Sequence, residues 1–244
     1  MTSSVRASFQ LRRRATVPVT NSVRRVYDLI RSSVQGDGAL RLVEDELMTA
    51  LAASRAAVRA ALQRLASEGA VDRSPRVGTI AAAVTALPLA AVTTLSTAGA
   101  SGLELRRLEA RAMAAPPVMR ERLELDIGAP MALVELVVLR DDEPLGLLTS
   151  YVGLPSHSAA TDVIGADPIA LLRSCLEVRA GGVASAIGAR PADIETAGLL
   201  AVAPGSALLW CDEVVRAADG RARAVCHWSL RGDRVVLTSS DTPA

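Results

Sequence analysis

Arg55 follows directly on Ser54, and Arg59 comes four residues later, in the run Ser54-Arg55-Ala56-Ala57-Val58-Arg59-Ala60-Ala61-Leu62. In a helix this spacing sets the two guanidinium groups one turn apart on one face, close to the amino end. A helix of that kind, pushed end-first into a major groove, puts Ser54 and its own amides on phosphate. Arg55 and Arg59 then reach guanine edges or phosphates. An arginine pair on a helix also fits an ordinary solvated face, and the spacing alone does not choose between the two.

Other chemistries lack their residues. All 27 basic residues are arginine, so pyridoxal Schiff bases, P-loop phosphate cradles and lysine general bases are excluded. The histidines are His157 and His227, and the cysteines Cys175, Cys211 and Cys226 form no CxxC pair. Neither a zinc cluster nor a disulfide framework is supported, and the cysteines read as small core residues of a protein in a reducing cytoplasm. No Ser/His/Asp or Cys/His set stands at a recognisable spacing. We therefore expect no catalytic residues, no metal, no cofactor and no enzyme. Aromatic residues make up 2% of a chain that is 50% hydrophobic, which argues against stacking platforms for single-stranded nucleic acid. The amino terminus has no apolar h-region, and the uncharged stretch 77–103 is interrupted by Pro88 and glycines. We expect neither a secretory signal nor a membrane span.

The elements that must position the arginines follow from apolar spacing. Val23, Val26, Tyr27, Ile30 and Val34 mark a first helix after the capping pair Asn21-Ser22. Val43, Leu47 and Leu51 mark a short second one whose first turn holds Glu44, Asp45 and Glu46, favourable at the positive end of the dipole. Ala52-Ala53 is a tight turn, Ser54 caps a third helix with Val58, Leu62 and Leu65 inward, and Gly69 ends it. Residues 71–80 read as two short strands with Pro75 and Gly78 at the turn. Helix, helix, turn, helix, hairpin is the order of a winged helix-turn-helix. Charge divides the chain in the same place: residues 1–82 hold 13 Arg against 7 acids, whereas residues 83–244 hold 14 Arg against 19. A basic amino-terminal domain points to a polyanionic partner. Its first residues, with Arg12, Arg13 and Arg14, read as a flexible arm, either a solvated tail or a phosphate contact.

Glu44-Asp45-Glu46-Leu47, Ser54-Arg55, Val58-Arg59-Ala60-Ala61-Leu62, Leu65-Ala66-Ser67-Glu68-Gly69 and Gly78-Thr79 fall in one order at fixed spacings over residues 22–81. Together they resemble the GntR family of bacterial transcription factors. The resemblance implies DNA contacts from Ser54, Arg55 and Arg59 on the recognition helix and from Gly78 and Thr79 at the wing, in or beside the minor groove. Three positions depart from the family pattern. Asp45 stands where a basic residue is usual, Val43 replaces a proline, and Arg76 replaces the first wing glycine. The first takes away a phosphate contact that the pattern would supply, and Arg76 offers one.

The carboxy-terminal half repeats itself at an offset of 77: Leu123-Glu124-Leu125 and Gly128 match Leu200-Ala201-Val202 and Gly205, residues 131–138 match 208–215, Asp142 matches Asp219, and Tyr151 matches Trp228. Each copy reads as a helix end, a glycine turn, an apolar strand, a polar hairpin and a second strand, so two hairpins build one pseudo-symmetric antiparallel sheet. Residues 168–178 and 192–200 read as covering helices. Leu123-x-Leu-x-x-Gly128, Glu143-Pro144, Ser150-Tyr151, Leu199-Leu200-x-Val202-x-x-Gly205 and Arg231-Gly232-Asp233-Arg234 resemble the UTRA domain of the HutC subfamily, from about residue 102 to 239. The expected fold is α+β: an arm over 1–20, a winged helix-turn-helix over 21–82, a linker over 83–101, and a UTRA domain over 102–241, an antiparallel sheet with helices resembling chorismate lyase.

That resemblance implies a small-molecule effector and a homodimer, with Leu136, Leu148, Tyr151, Val225 and Arg231 as the effector-binding positions. Leu136 and Leu148 stand where many members carry Arg and Glu, and Ala224, Val225 and Cys226 are equally uncharged. An unpaired charge in such a pocket is disfavoured, which points to an uncharged or amphipathic effector, or to a pocket that is simply core. His227 and Trp228 read as core or interface, and Arg231-Asp233-Arg234 as an ion-paired turn. The expected function is a cytoplasmic, ligand-responsive regulator, a repressor that a small molecule releases from a double-stranded DNA operator. The alternatives are a dimeric DNA-binding protein without an effector, and a lyase-like enzyme, for which fold analogy alone supplies no chemistry.

Overall fold

A computed structural model of the chain describes residues 20–34, 40–74, 78–91, 102–154, 169–172 and 182–239. These residues fall into two compact units, the division lying after Thr85. Arg76, residues 1–19 of the expected arm over 1–20, His157, Cys175 and most of the helix expected over 168–178 lie outside the described residues.

In the first unit, helix α1 (Val23–Ser33) is capped by Ser22, whose hydroxyl accepts from the Arg25 amide, and buries Val26 and Ile30. Strand β1 (Arg41–Leu42) leads into α2 (Glu44–Ala50). Val43 at its N-cap supplies no side-chain hydrogen bond, so the three acids of the first turn are what meets the dipole there. Helix α3 (Arg55–Ser67) starts at Ser54, whose hydroxyl accepts from the Ala57 amide, and turns Ala57, Val58, Ala61, Leu62 and Leu65 inward. Strands β2 (Val71–Ser74) and β3 (Gly78–Ala81) form the hairpin, and β1 adds to β3, giving the order β1-β3-β2. Two-residue β1 was too short for a periodicity signal. Tyr27 of α1 donates to Glu68 at the end of α3, and the Arg64 guanidinium lies 4.4 Å from the Tyr27 ring centre, which fixes the helices against one another. Thr20 pairs with Ala53, its amide donating to the Ala52 carbonyl at 2.7 Å and its carbonyl accepting from the Ser54 amide at 3.1 Å.

The second unit is a six-stranded antiparallel sheet, β5-β6-β7-β10-β9-β8, plus the pair β4 and β11. Its strands are β4 (Thr85–Pro88), β5 (Glu104–Ala114), β6 (Pro130–Arg140), β7 (Glu143–Gly153), β8 (Val183–Pro191), β9 (Ala207–Arg216), β10 (Ala222–Arg231) and β11 (Val235–Thr238), with helices α4 (Pro117–Arg122) and α5 (Ile194–Leu200). The stretch expected as a linker, 83–101, thus contains β4, which pairs with the last strand. The internal repeat is longer than the sequence match. Strand, helix and hairpin (β5-α4-β6-β7) recur as β8-α5-β9-β10, and β7 pairs with β10 at the centre. One detail of the match is corrected by the register. Val134 pairs with Ser150 and Cys211 with Trp228, so Trp228 corresponds to Ser150 and not to Tyr151. The cause is hairpin length: Asp141 and Asp142, both at positive φ, close the first in two residues, whereas residues 217–221 close the second.

Alternation along each strand divides the sheet into two faces. On the first, Val134, Leu136, Leu148, Cys226 and Trp228 form a core with Leu87, Leu103 and Val235. On the second, Met131 and Val225 pack on Met119 and Leu123 around α4, and Leu208 packs on Ala197 and Leu200 of α5.

Candidate nucleic-acid interface and effector face

The first turn of α2 and the face of α3 meet through ion pairs. The Arg55 guanidinium donates to Asp45 Oδ1 at 2.7 Å, and Arg59 Nε donates to Glu44 Oε2 at 2.8 Å. Glu44 also accepts from Arg73 of β2 at 3.5 Å, so one carboxylate joins α3 to the hairpin. Arg55 and Arg59 keep more than half of their side-chain surface exposed, whereas Glu44 keeps 23%. Around this cluster Arg41, Glu44, Arg73, Ser74, Gly78 and Thr79 line a shallow cleft. Arg41 of β1 and Arg73 of β2 thus share this cleft with Glu44, which also binds Arg59 of α3.

Each expected DNA-contacting residue other than Arg76 has a definite place. Ser54, Arg55 and Arg59 come together at the start of α3. Gly78 is exposed at φ +98°, and a side chain there would stand about 3.6 Å from Arg41 Nε. Thr79 is buried and on the same side of β3 as Ala81, and it borders the cleft. The sequence reading did not identify Glu44, Arg41 or Arg73 as members of this cluster.

The expected effector positions do not form one site. Leu136 and Leu148 are cross-strand partners on the first face, both without solvent exposure. Tyr151 and Val225 are partners on the second face, near α4. The reason is parity: Leu148 and Tyr151 are three residues apart on one strand, and an odd step turns a side chain to the opposite face. Arg231 is separate from both pairs. Its guanidinium is 8% exposed and is bound by Asp233 at 2.7 Å and 3.1 Å, by Glu143 at 3.1 Å and by the Pro144 carbonyl at 3.2 Å. The hydrogen bond to Asp233 holds the Arg231 guanidinium above its usual range. Burial pushes the Asp233 carboxyl up, but the Arg231 hydrogen bond and charge outweigh it and the net shift is down.

Two polar groups on the sheet were not anticipated. Glu213 is fully buried on the first face, accepting from Trp228 Nε1 at 2.8 Å and from the Ser185 hydroxyl at 3.5 Å. Burial, with the Glu213 charge adding to it, pushes the Cys211 thiol up to about 11. On the second face Arg122 of α4 binds both Asp212 oxygens at 2.7 Å and 2.9 Å, His227 Nδ1 lies 3.4 Å from Asp212, and Tyr151 meets His227 edge-on at 5.7 Å. Burial lowers the His227 pKa, Asp212 partly offsets this, and Arg122 adds to the lowering. Among the described residues no cluster of three or more His, Cys, Asp or Glu could hold a metal ion, and no helix is long and apolar enough to cross a membrane.

The family model of the UTRA domain matches residues 102–236, and that of the gntR family of bacterial regulatory proteins matches residues 23–80. Among solved structures, PhnF from Mycobacterium smegmatis is similar over 90% of this chain and 100% of its own, with 22% identity and a TM-score of 0.56. The possible transcriptional regulator YydK from Bacillus subtilis subsp. subtilis str. 168 is similar over 90% of this chain and 99% of its own, with 14% identity and a TM-score of 0.52. The effector domain of the Mycobacterium smegmatis PhnF covers 64% of this chain at 22% identity, with a TM-score of 0.52 and 98% of its own length matched. At these identities the likeness is one of fold. No curated protein matches the chain.

Proposed function

Because this chain belongs to the UTRA-domain family of gntR-type bacterial regulators, and is a DNA-binding transcriptional regulator with an effector-binding domain and not an enzyme, we propose that it is a cytoplasmic homodimeric repressor of the HutC subfamily that a small molecule releases from a pseudo-palindromic operator. The observation that carries the DNA half of this reading is the exposed pair Arg55 and Arg59 at the capped start of α3, with Glu44 tying Arg59 to Arg73 of the hairpin. Two such helices on a dimer match two half-sites one helical turn or a multiple of it apart.

The effector half rests on the first face of the sheet. Leu136 and Leu148 replace a charged pair there, which favours an uncharged or amphipathic effector. Release follows if the effector binds better to a dimer whose two recognition helices are at the wrong separation for the operator. A titration of the purified chain on DNA flanking its own gene, repeated with candidate effectors, tests both halves. Specific binding that an effector weakens supports the proposal; binding that differs neither between sequences nor with any effector contradicts it.

A further inference from the structure

The residue that departs most from the expected pattern of basic groups, Asp45, is the one in contact with Arg55. An exposed ion pair of this kind contributes little to folding. Its effect falls instead on what Arg55 can bind. A phosphate brought to Arg55 comes within a few ångströms of the Asp45 carboxylate and is repelled, whereas the guanine O6 and N7 acceptors carry no net charge and are not. The carboxylate also holds the guanidinium plane in one orientation, so less side-chain freedom is lost when Arg55 meets a base edge. Glu44 does the same for Arg59, and through Arg73 it ties the helix to the hairpin.

From this geometry we infer that Asp45 is a specificity-determining positioning residue: it withdraws Arg55 from phosphate binding and dedicates it to reading a base edge. The inference rests on the placement of α3 at DNA. It makes this chain a weak binder of DNA in general and a selective binder of its own site.

The full-length protein is first used to select its preferred duplex from a randomised library. Affinities for that duplex and for random-sequence duplex are then measured across a salt series, for wild type, Asp45→Ala, Asp45→Asn, Arg55→Ala and the double variant Asp45→Ala/Arg55→Ala. Asp45→Ala is expected to bind random duplex roughly fivefold more tightly, the effect of one unit charge a few ångströms from another in water. Its salt slope steepens by about 0.9 for one phosphate gained. The ratio of selected to random affinity falls, Asp45→Asn falls in between, and in the Arg55→Ala background the Asp45 substitution leaves the ratio unchanged. A lost side-chain support alone would weaken both duplexes together. Equal weakening of both, or no change in either, overturns the inference while leaving α3 at DNA. A wild-type protein that selects no sequence overturns the DNA reading itself and the inference with it.

Discussion

Leu136 and Leu148 face one another across β6 and β7 with no solvent exposure, on the sheet face that also holds Trp228 and Glu213. In the proposed effector reading this pair gives that face an apolar centre. Burial of a ligand's apolar surface against it gains roughly 25 cal/mol per Å², and a charged group there loses its hydration without a partner from either leucine. Thermal-shift screening is therefore expected to give larger, saturable midpoint rises with uncharged or amphipathic compounds than with phosphosugars. A phosphosugar that raises the midpoint and releases DNA, with Leu136→Arg abolishing the response, would refute this account of the face.

Gly232 lies in the turn after β10, where its amide donates to the Ala207 carbonyl at 3.1 Å and an added Cβ would stand 2.9 Å from that same oxygen. The neighbour is backbone and has nowhere to go. Gly232→Ala is expected to destabilise the folded protein by about 1–3 kcal/mol, read as a lower denaturant midpoint at unchanged slope. A midpoint equal to that of the wild type would show that the turn relaxes freely.

Ser54 caps α3 through the Ala57 amide. Removing the hydroxyl in Ser54→Ala should cost about 0.5–2 kcal/mol of stability, whereas Ser54→Asp, which can also cap, should retain it. DNA affinity separates the two roles of this residue, because the aspartate variant keeps the fold and adds a negative charge beside the phosphates. It is expected to unfold like the wild type and bind DNA more weakly; equal DNA affinity would remove Ser54 from the interface.

His227 titrates with a pKa below its ordinary value of 6.5 because burial disfavours the imidazolium more than Asp212 favours it. A depressed pKa means that the unfolded chain binds the proton more readily. The stability this group contributes is thus complete above about pH 6.5 and is lost as the pH falls through the folded-state value. Replacing it in His227→Gln should flatten the thermal midpoint between pH 7 and pH 5 relative to wild type. An unchanged pH profile would assign the acid sensitivity elsewhere.

The helices were legible because their cores are local. Val26 and Ile30 on α1, and Val58, Leu62 and Leu65 on α3, recur at helical spacing and are buried as that spacing requires. The hairpin repeat was legible for a similar reason, since alternation and a glycine turn recur at one offset. What failed was register: a longer second hairpin moved Trp228 opposite the place that an ungapped comparison assigns it. The face of each effector residue was readable by parity, and grouping Leu148 with Tyr151 overlooked it. The ion pairs at α3 were not readable at all. Asp45 and Arg55 are ten residues apart, Glu44 and Arg73 twenty-nine, and their meeting depends on how α2, α3 and β2 pack.

The central claim is that α3 reads DNA through its exposed arginine face, and the most direct measurement is a gel-shift titration of Arg59→Ala against wild type on the selected operator at fixed salt. Loss of one base or phosphate contact should weaken specific binding by about 1–3 kcal/mol, with the thermal midpoint lowered by no more than several degrees because the lost Arg59–Glu44 pair is a partly exposed one worth about 0–1 kcal/mol. Operator affinity equal to that of the wild type would contradict the account, because the face on which it places the DNA would then be doing no more than facing water.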